Sequence, residues 1–340
     1  MKKVIIQAAK RAGIVEVPAP QAVRDWALIK IHCAPMCTEY KSFESGETSS
    51  FLGHEAAGEV VEIAQPGPVS VGDRVVVMPQ YPCGTCSLCV KGEYIHCEDV
   101  VDFKAFTGGE QGCDTYAQYI LKPAWLLPRI PDDISYEHAA MLCCGLGPTF
   151  GAMQRMRVEA FDTVLITGMG PVGLGGVING VFRGARIIAV VRNPYRARLA
   201  RELGAEMVVD PDDSDVRDKI LKATANQGVD KAIDCSGDPS AQRLCVETAR
   251  RQGAIAFVGE SGDLNIKVSD DLIRKGLALF GIWHYNLGDI PRLWQVVRGS
   301  PGLLDKLITH AFPLEKVEEA WKLQSTRRCG KVILYPWRQG

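Results

Sequence analysis

Hydrophobic and polar positions follow two rhythms along the chain, and the change falls near residue 146. Before it come short β-type runs at 27–31, 58–63, 74–78 and 117–121, set apart by Pro and Gly. Residues 1–10 read as a further strand: the run Val4-Ile5-Ile6 is broken by Gln7 and ended by Lys10, too short for a secretory leader. After residue 146, buried-strand runs recur with helical spans between them, at 164–167, 186–191, 206–209, 231–234, 254–258 and 277–280. Strands joined in this way by crossover helices predict an α/β class with a doubly wound parallel sheet. Beyond about residue 286 the pattern turns helical and closes on a strand at 331–335. The expected organisation is therefore a β-rich domain over 1–146, a sheet-and-helix domain over 147–286, and a return to the first domain over 287–340.

Composition adds mainly exclusions. A length of 340 residues suits two domains at roughly 100–200 residues each. With 39 basic and 40 acidic side chains, the net charge of -1 offers no field to recruit nucleic acid or an anionic membrane. No uninterrupted stretch reaches the roughly 18 apolar residues of a membrane span. The 12 cysteines, Cys143 and Cys144 adjacent among them, read as reduced thiols of a cytoplasmic protein.

Four of those cysteines change the picture. Cys83, Cys86, Cys89 and Cys97 have the spacing C-x2-C-x2-C-x7-C, with Gly84 and Gly92 between them, in a lobe of about 80–100. Tetrahedral zinc wants four thiolates at about 2.3 Å, and such short spacings let one loop wrap the ion without a core of its own. Two disulfides or a chance cluster are the alternatives.

The strand at 164–167 runs into Gly168-Met169-Gly170-Pro171-Val172-Gly173 and then into a helix. Strand before, helix after and a second strand about 20 residues on are the context in which G-x-G-x-x-G marks a dinucleotide site. Missing side chains let a pyrophosphate approach backbone amides at the positive helix end. At the tip of the second strand, an acidic residue would accept the adenosine ribose of NAD; that slot holds Val191, followed by Arg192. Losing a carboxylate and gaining a guanidinium favours NADP over NAD. A solvated helix-entry role for Arg192 is the alternative.

A second metal site is suggested by Cys37, His54 and Cys144, from three separate segments. Singly, a buried cysteine is packing and a histidine is a satisfied polar group. Together, two thiolates and an imidazole form the ligand set of an open catalytic zinc with a fourth position for water or substrate oxygen.

With these motifs in place, the chain resembles the zinc-dependent medium-chain alcohol and polyol dehydrogenases over nearly its full length. The motifs that carry the resemblance are Gly53-His54-Glu55 with Gly58, Gly72-Asp73-Arg74-Val75, the four-cysteine lobe, the 168–173 turn, Ile308 to Leu314, and Gly330-Lys331-Val332. The resemblance implies a GroES-like β-barrel catalytic domain wrapped from both chain ends around a Rossmann domain. It implies Cys37, His54 and Cys144 as catalytic-zinc ligands, Cys143 as runner-up to Cys144, and Glu55 as an acid near the metal. Cofactor contacts are expected from Gly168, Gly170, Pro171, Val172, Gly173, Val191, Arg192 and Lys331.

One departure stands out. Family members carry Ser or Thr two residues after the first cysteine, then Asp; here those places hold Glu39 and Tyr40. The hydroxyl passes the alcohol proton outward and the Asp orients the histidine ligand. Thr38 or Glu39 is expected to take over the relay; alternatively Glu39 faces a cationic substrate group, or solvent.

The implied activity is hydride transfer between NAD(P) and a polar secondary alcohol or its ketone, of polyol, sugar, cyclitol or amino-cyclitol type. Two zinc ions per chain and a homo-oligomer, dimer or tetramer, are expected. A simple alcohol or aldehyde dehydrogenase is the alternative within the family. A zinc-free quinone or enoyl reductase, or a non-catalytic zinc or nucleic-acid module, are rivals outside it.

Overall fold

The computed structural model describes residues 1–48, 51–260 and 262–338. Clustering of the backbone gives two compact units, one of Met1–Cys143, Asn286–Arg298 and the chain from Ile308 onward, the other of Cys144–Tyr285 and Gly299–Leu307.

In the first unit, strands β1 (Lys2–Ala8) and β2 (Arg11–Glu16) form an antiparallel hairpin. The main sheet contains β3 (Trp26–Pro35), β4 (Ala56–Ile63), β5 (Arg74–Val77) and β6 (Tyr119–Pro123). Strand β3 organises it. Its first half pairs antiparallel with both β4 and β6, two irregularities of register bend it against β4, and its far end, Ala34 and Pro35, pairs with the last strand of the chain. Extra residues in a ladder sharpen twist and curve a sheet. The enclosed core includes Ile29, Ile31, Met36, Tyr116 and Val332, with Phe43 stacked on Trp321 at 5.1 Å. Trp321 lies on the helix Val317–Ser325, which brings the end of the chain onto this core.

The second unit holds β7 (Thr163–Thr167), β8 (Arg186–Val190), β9 (Met207–Val209), β10 (Val229–Asp234), β11 (Ala249–Phe257) and β12 (Ala278–Gly281). All five pairings are parallel and the spatial order is β12-β11-β10-β7-β8-β9, so the winding reverses beside β7. Ligands bind doubly wound sheets at that reversal, outside the carboxyl ends of the strands. Helices cover the sheet closely: a Cβ on Gly180, in the helix Pro171–Phe182, would lie 2.2 Å from Ile187 Cδ1 on β8.

Beyond Tyr285 the expected return differs in two respects. A strand, β13 (Ile308–Pro313), runs parallel to β14 (Lys331–Tyr335) where only helix was expected. Residues 299–307 belong to the second unit, because the helix Pro301–Leu307 buries Leu304 and Leu307 there and Lys306 donates to the carbonyl of Glu202.

Candidate functional site

Two clusters of possible metal ligands occur among the described residues. In the first, the sulfurs of Cys83, Cys86, Cys89 and Cys97 lie within 4.8 Å of one another. The loop reaches this shape through left-handed backbone at Gly84 and Gly92 (φ +78° and +84°), which side chains resist. Amides point at the sulfurs: Cys86 N donates to Cys83 Sγ at 3.3 Å, Cys83 N to Cys97 Sγ at 3.2 Å and Cys89 N to Cys86 Sγ at 3.5 Å. The backbone amide of Thr85 leads the effects that bring the Cys83 thiol down to about 6. Cys86 Sγ and Cys97 Sγ are 3.9 Å apart, close to the roughly 3.8 Å that a tetrahedron of 2.3 Å bonds requires. None of the 12 cysteines is joined in a disulfide, which leaves that alternative without support. The donor set fits zinc.

The second cluster gathers one ligand atom each from Cys37, His54, Glu55 and Cys144, again within 4.8 Å. Cys37 follows the end of β3, and His54 and Glu55 precede β4, so two paired strands present them from one end. Cys143, fully buried, points elsewhere and donates its thiol to the carbonyl of Val77 at 3.4 Å. The structure thus separates the adjacent thiols and gathers Cys144.

His54 is oriented from behind. Its Nδ1 meets Glu39 Oε1 at 2.7 Å, and the second oxygen of Glu39 accepts from Tyr116 Oη at 2.9 Å and from the Cys37 amide at 3.2 Å. Glu39 is 10% exposed at its side chain, so it faces neither solvent nor an open pocket. Burial works against its charge, yet His54 and these donors hold its carboxyl down at about 2. With Nδ1–H donated to Glu39, Nε2 is the nitrogen left for a metal. Tyr40, at the position where relatives carry the orienting acid, packs instead against the apolar core. The longer Glu side chain reaches the histidine from one residue earlier. Thr38 is exposed, and its carbonyl accepts from the Lys41 amide.

Glu55 is fully buried, and so is Lys331, whose Nζ lies 2.5 Å from Glu55 Oε1. Burial raises the Glu55 carboxyl to about 7 against the opposing pull of Lys331. Its other oxygen, Oε2, is buried without a hydrogen-bond partner. Two thiols, an imidazole and an orphaned carboxylate oxygen fit a bound zinc ion. Lys331, expected from the sequence to contact a cofactor, has its side chain wholly enclosed and paired with Glu55. Sequence reasoning also missed Tyr116, behind Glu39, and Gln324, whose Nε2 donates to the Cys37 carbonyl at 3.3 Å. Neither stands in a spacing that signals it.

In the second unit, β7 ends at Thr167 and Gly168 turns with φ +79°. Pro171 opens the helix Pro171–Phe182, and a Cβ on Gly173 would lie 2.1 Å from the Gly168 carbonyl oxygen. Gly170 faces open space, as a site for close approach to its backbone requires. Val191 is 8% exposed at the tip of β8, and Arg192 pairs on the surface with both carboxylate oxygens of Asp212, at 2.6 and 2.8 Å.

Comparison with known proteins agrees with this geometry. Residues 23–132 match the family model described as alcohol dehydrogenase GroES-like domain, and residues 171–298 that described as zinc-binding dehydrogenase. L-threonine 3-dehydrogenase of Pyrococcus horikoshii is 31% identical over 95% of this chain and 94% of that protein. Sorbitol dehydrogenase of Bacillus subtilis is 29% identical over 99% and 98%. Among solved structures, 2R,3R-butanediol dehydrogenase from Bacillus subtilis superposes with a TM-score of 0.84 at 25% identity, covering 98% of this chain and 99% of that one. No helix among the described residues is long and apolar enough to cross a membrane.

Proposed function

Since the chain belongs to the zinc-dependent medium-chain alcohol and polyol dehydrogenases, enzymes acting on CH–OH groups, we propose that it transfers a hydride between NADP and a polar secondary alcohol or its ketone. The observation that carries this reading is the Cys37, His54, Glu55, Cys144 cluster with Glu39 behind its histidine. Polyols, sugars and cyclitols are the substrate class; the relatives that act on sorbitol and on D-arabitol phosphate support it. An amino-cyclitol loses its motive, because both oxygens of Glu39 are engaged within the protein.

Zinc held by Cys37, His54 and Cys144 would supply Lewis acidity to the substrate oxygen, and the nicotinamide a hydride acceptor. The chain's own residues supply position and proton control. Glu39 keeps the Nδ1 proton of His54 in place, so that Nε2 presents its lone pair. Lys331 holds Glu55 beside the cluster, leaving Oε2 without another partner. Thr38, exposed next to Cys37, is the hydroxyl through which a proton would leave. A second zinc would sit in the four-cysteine lobe and brace its loop.

The NADP preference rests on Val191 in the place of an acid and on Arg192 beside it. A 2′-phosphate would displace Asp212 from the guanidinium. We place the protein in the cytoplasm on its cysteine usage, adjacent Cys143 and Cys144 included, read as reduced thiols. We also read it as a homo-oligomer, since β12 is an edge strand followed by the half-exposed Trp283.

One experiment addresses the reading as a whole. Metal analysis should give about two zinc ions per chain, and a panel of polyols, inositols and simple alcohols should reduce NADP faster than NAD at equal concentration. Absence of zinc would favour the zinc-free reductases, and turnover confined to simple alcohols the other branch of the family.

A further inference from the structure

We propose that Asp234 is the positioning residue of the dinucleotide site, a buried carboxylate that fixes the 168–173 turn in the shape that admits a pyrophosphate. The proposal rests on reading that turn as the cofactor's.

Asp234 is the last residue of β10 and is fully buried. Five donors converge on its two oxygens. Oδ1 accepts from Thr167 Oγ1 at 2.7 Å, from the Ser236 amide at 3.0 Å and from Ser236 Oγ at 2.5 Å. Oδ2 accepts from the Gly237 amide at 3.1 Å and from Gln242 Nε2 at 3.2 Å. These five are neutral groups, one more than the roughly four lone-pair sites of a carboxylate, so the three donors on Oδ1 share its two. The backbone carbonyl of Asp234 meanwhile accepts from the amides of Val258 and Gly259 at 2.8 and 2.9 Å, and Cys235 N donates to the Thr167 carbonyl at 2.9 Å. One residue therefore ties the ends of three adjacent strands, β7, β10 and β11, at the place where the winding reverses.

The geometry relates this hub to the turn. Thr167 immediately precedes Gly168, so its hydroxyl bond sets where the turn begins. The loop that Asp234 holds lies directly behind: a Cβ on Gly168 would stand 2.6 Å from the Ser236 amide nitrogen, and one on Gly237 would stand 2.1 Å from the Glu260 carbonyl oxygen. The turn is thus backed by a loop with no slack, while Gly170 on its open side meets nothing within 4 Å. Close approach to backbone amides tolerates little misplacement, so a hub that sets this loop sets affinity for the cofactor.

The test compares three variants in the zinc-containing protein, by fluorescence titration with NADPH and with NADH, thermal melting and zinc content. In Asp234→Asn the carbonyl can keep the Oδ1 bonds, but the new amide faces the Gly237 N–H donor to donor, and the loop must shift. Thr167→Val removes a single donor and is the milder variant should Asp234→Asn fail to fold. Asp230→Asn is the control: at the other end of β10, Asp230 accepts from the Thr163 amide and from Arg250. Dissociation constants should rise about 10-fold or more for Asp234→Asn and several-fold for Thr167→Val, with zinc unchanged. Asp230→Asn should melt earlier while binding within about twofold of the parent. Parent-like binding by Thr167→Val together with Asp234→Asn overturns the proposal, as does equal weakening by Asp230→Asn. A parent protein that binds neither nucleotide removes the cofactor reading itself, and the proposal with it.

Discussion

Lys122 gives the sharpest test of how the first unit handles a buried charge. It lies on β6, is 3% exposed, donates to the Gln80 carbonyl at 2.6 Å and sits 3.8 Å from the centroid of the Tyr81 ring. Burial drives its ammonium down from 10.5 to about 7, with the nearby thiols of Cys143 and Cys113 opposing. The sign follows from linkage. Between about pH 7 and 10.5 the unfolded chain holds the proton and the folded chain does not, so stability contributed by this group rises with pH across that window. The full drop corresponds to a ceiling of about 5 kcal/mol, and the span from pH 7 to 9 to about 2 kcal/mol. Lys122→Met abolishes the titration and leaves the Gln80 carbonyl without its donor, a pH-independent cost of about 1 kcal/mol. Urea unfolding of the zinc-containing parent and variant at pH 6, 7, 8 and 9 reads the difference. The variant should gain relative stability as pH falls from 9 to 7, by about 2 kcal/mol, so that the two curves draw apart towards neutrality. Parallel curves over the whole range would refute the argument, because a lysine charged in both states carries no such slope.

Two substitutions probe the ligand clusters. Glu39→Gln should lower kcat or zinc retention about 10- to 100-fold, since it weakens the hold on His54 Nδ1; unchanged kcat and zinc after dialysis would remove Glu39 from the site, and Tyr40→Phe should leave both unaltered. Cys83→Ser should release one of two zinc ions per chain and lower the melting temperature by several degrees, about 1–3 kcal/mol; retention of both ions would exclude the four-sulfur assignment.

Much of the second unit was legible because parallel strands covered on both faces need near-continuous apolar runs: Val164, Leu165 and Ile166 are all fully buried. Strands β2 and β13 were not legible. Their residues are mostly half-buried, and Thr309 and His310 interrupt the apolar pattern of β13, leaving no period to read. The cysteine lobe announced itself by spacing, since its ligands are local. Cys144 was preferred to Cys143 on the family pattern alone, because adjacent residues carry the same chemistry; the difference in direction shows only in space. The roles of Glu39 and Lys331 were hidden for a related reason. A motif compared position by position expects the acid at residue 40, whereas a longer side chain reaches the same histidine from residue 39. Lys331 was read as a cofactor contact, because its partner 276 residues upstream leaves no trace in local spacing.

That separation has a temporal meaning. Glu55 and the lysine that neutralises it are made far apart in time: at 5–20 residues per second, roughly 15–55 s pass between them on the ribosome. Most of the second unit is one unbroken stretch, 144–285, and emerges in that interval. The acid of this candidate metal cluster must therefore stay hydrated, or protonated, while its neighbours assemble. Only when β14 arrives to pair with Ala34 and Pro35 can the nascent chain seal it away from water.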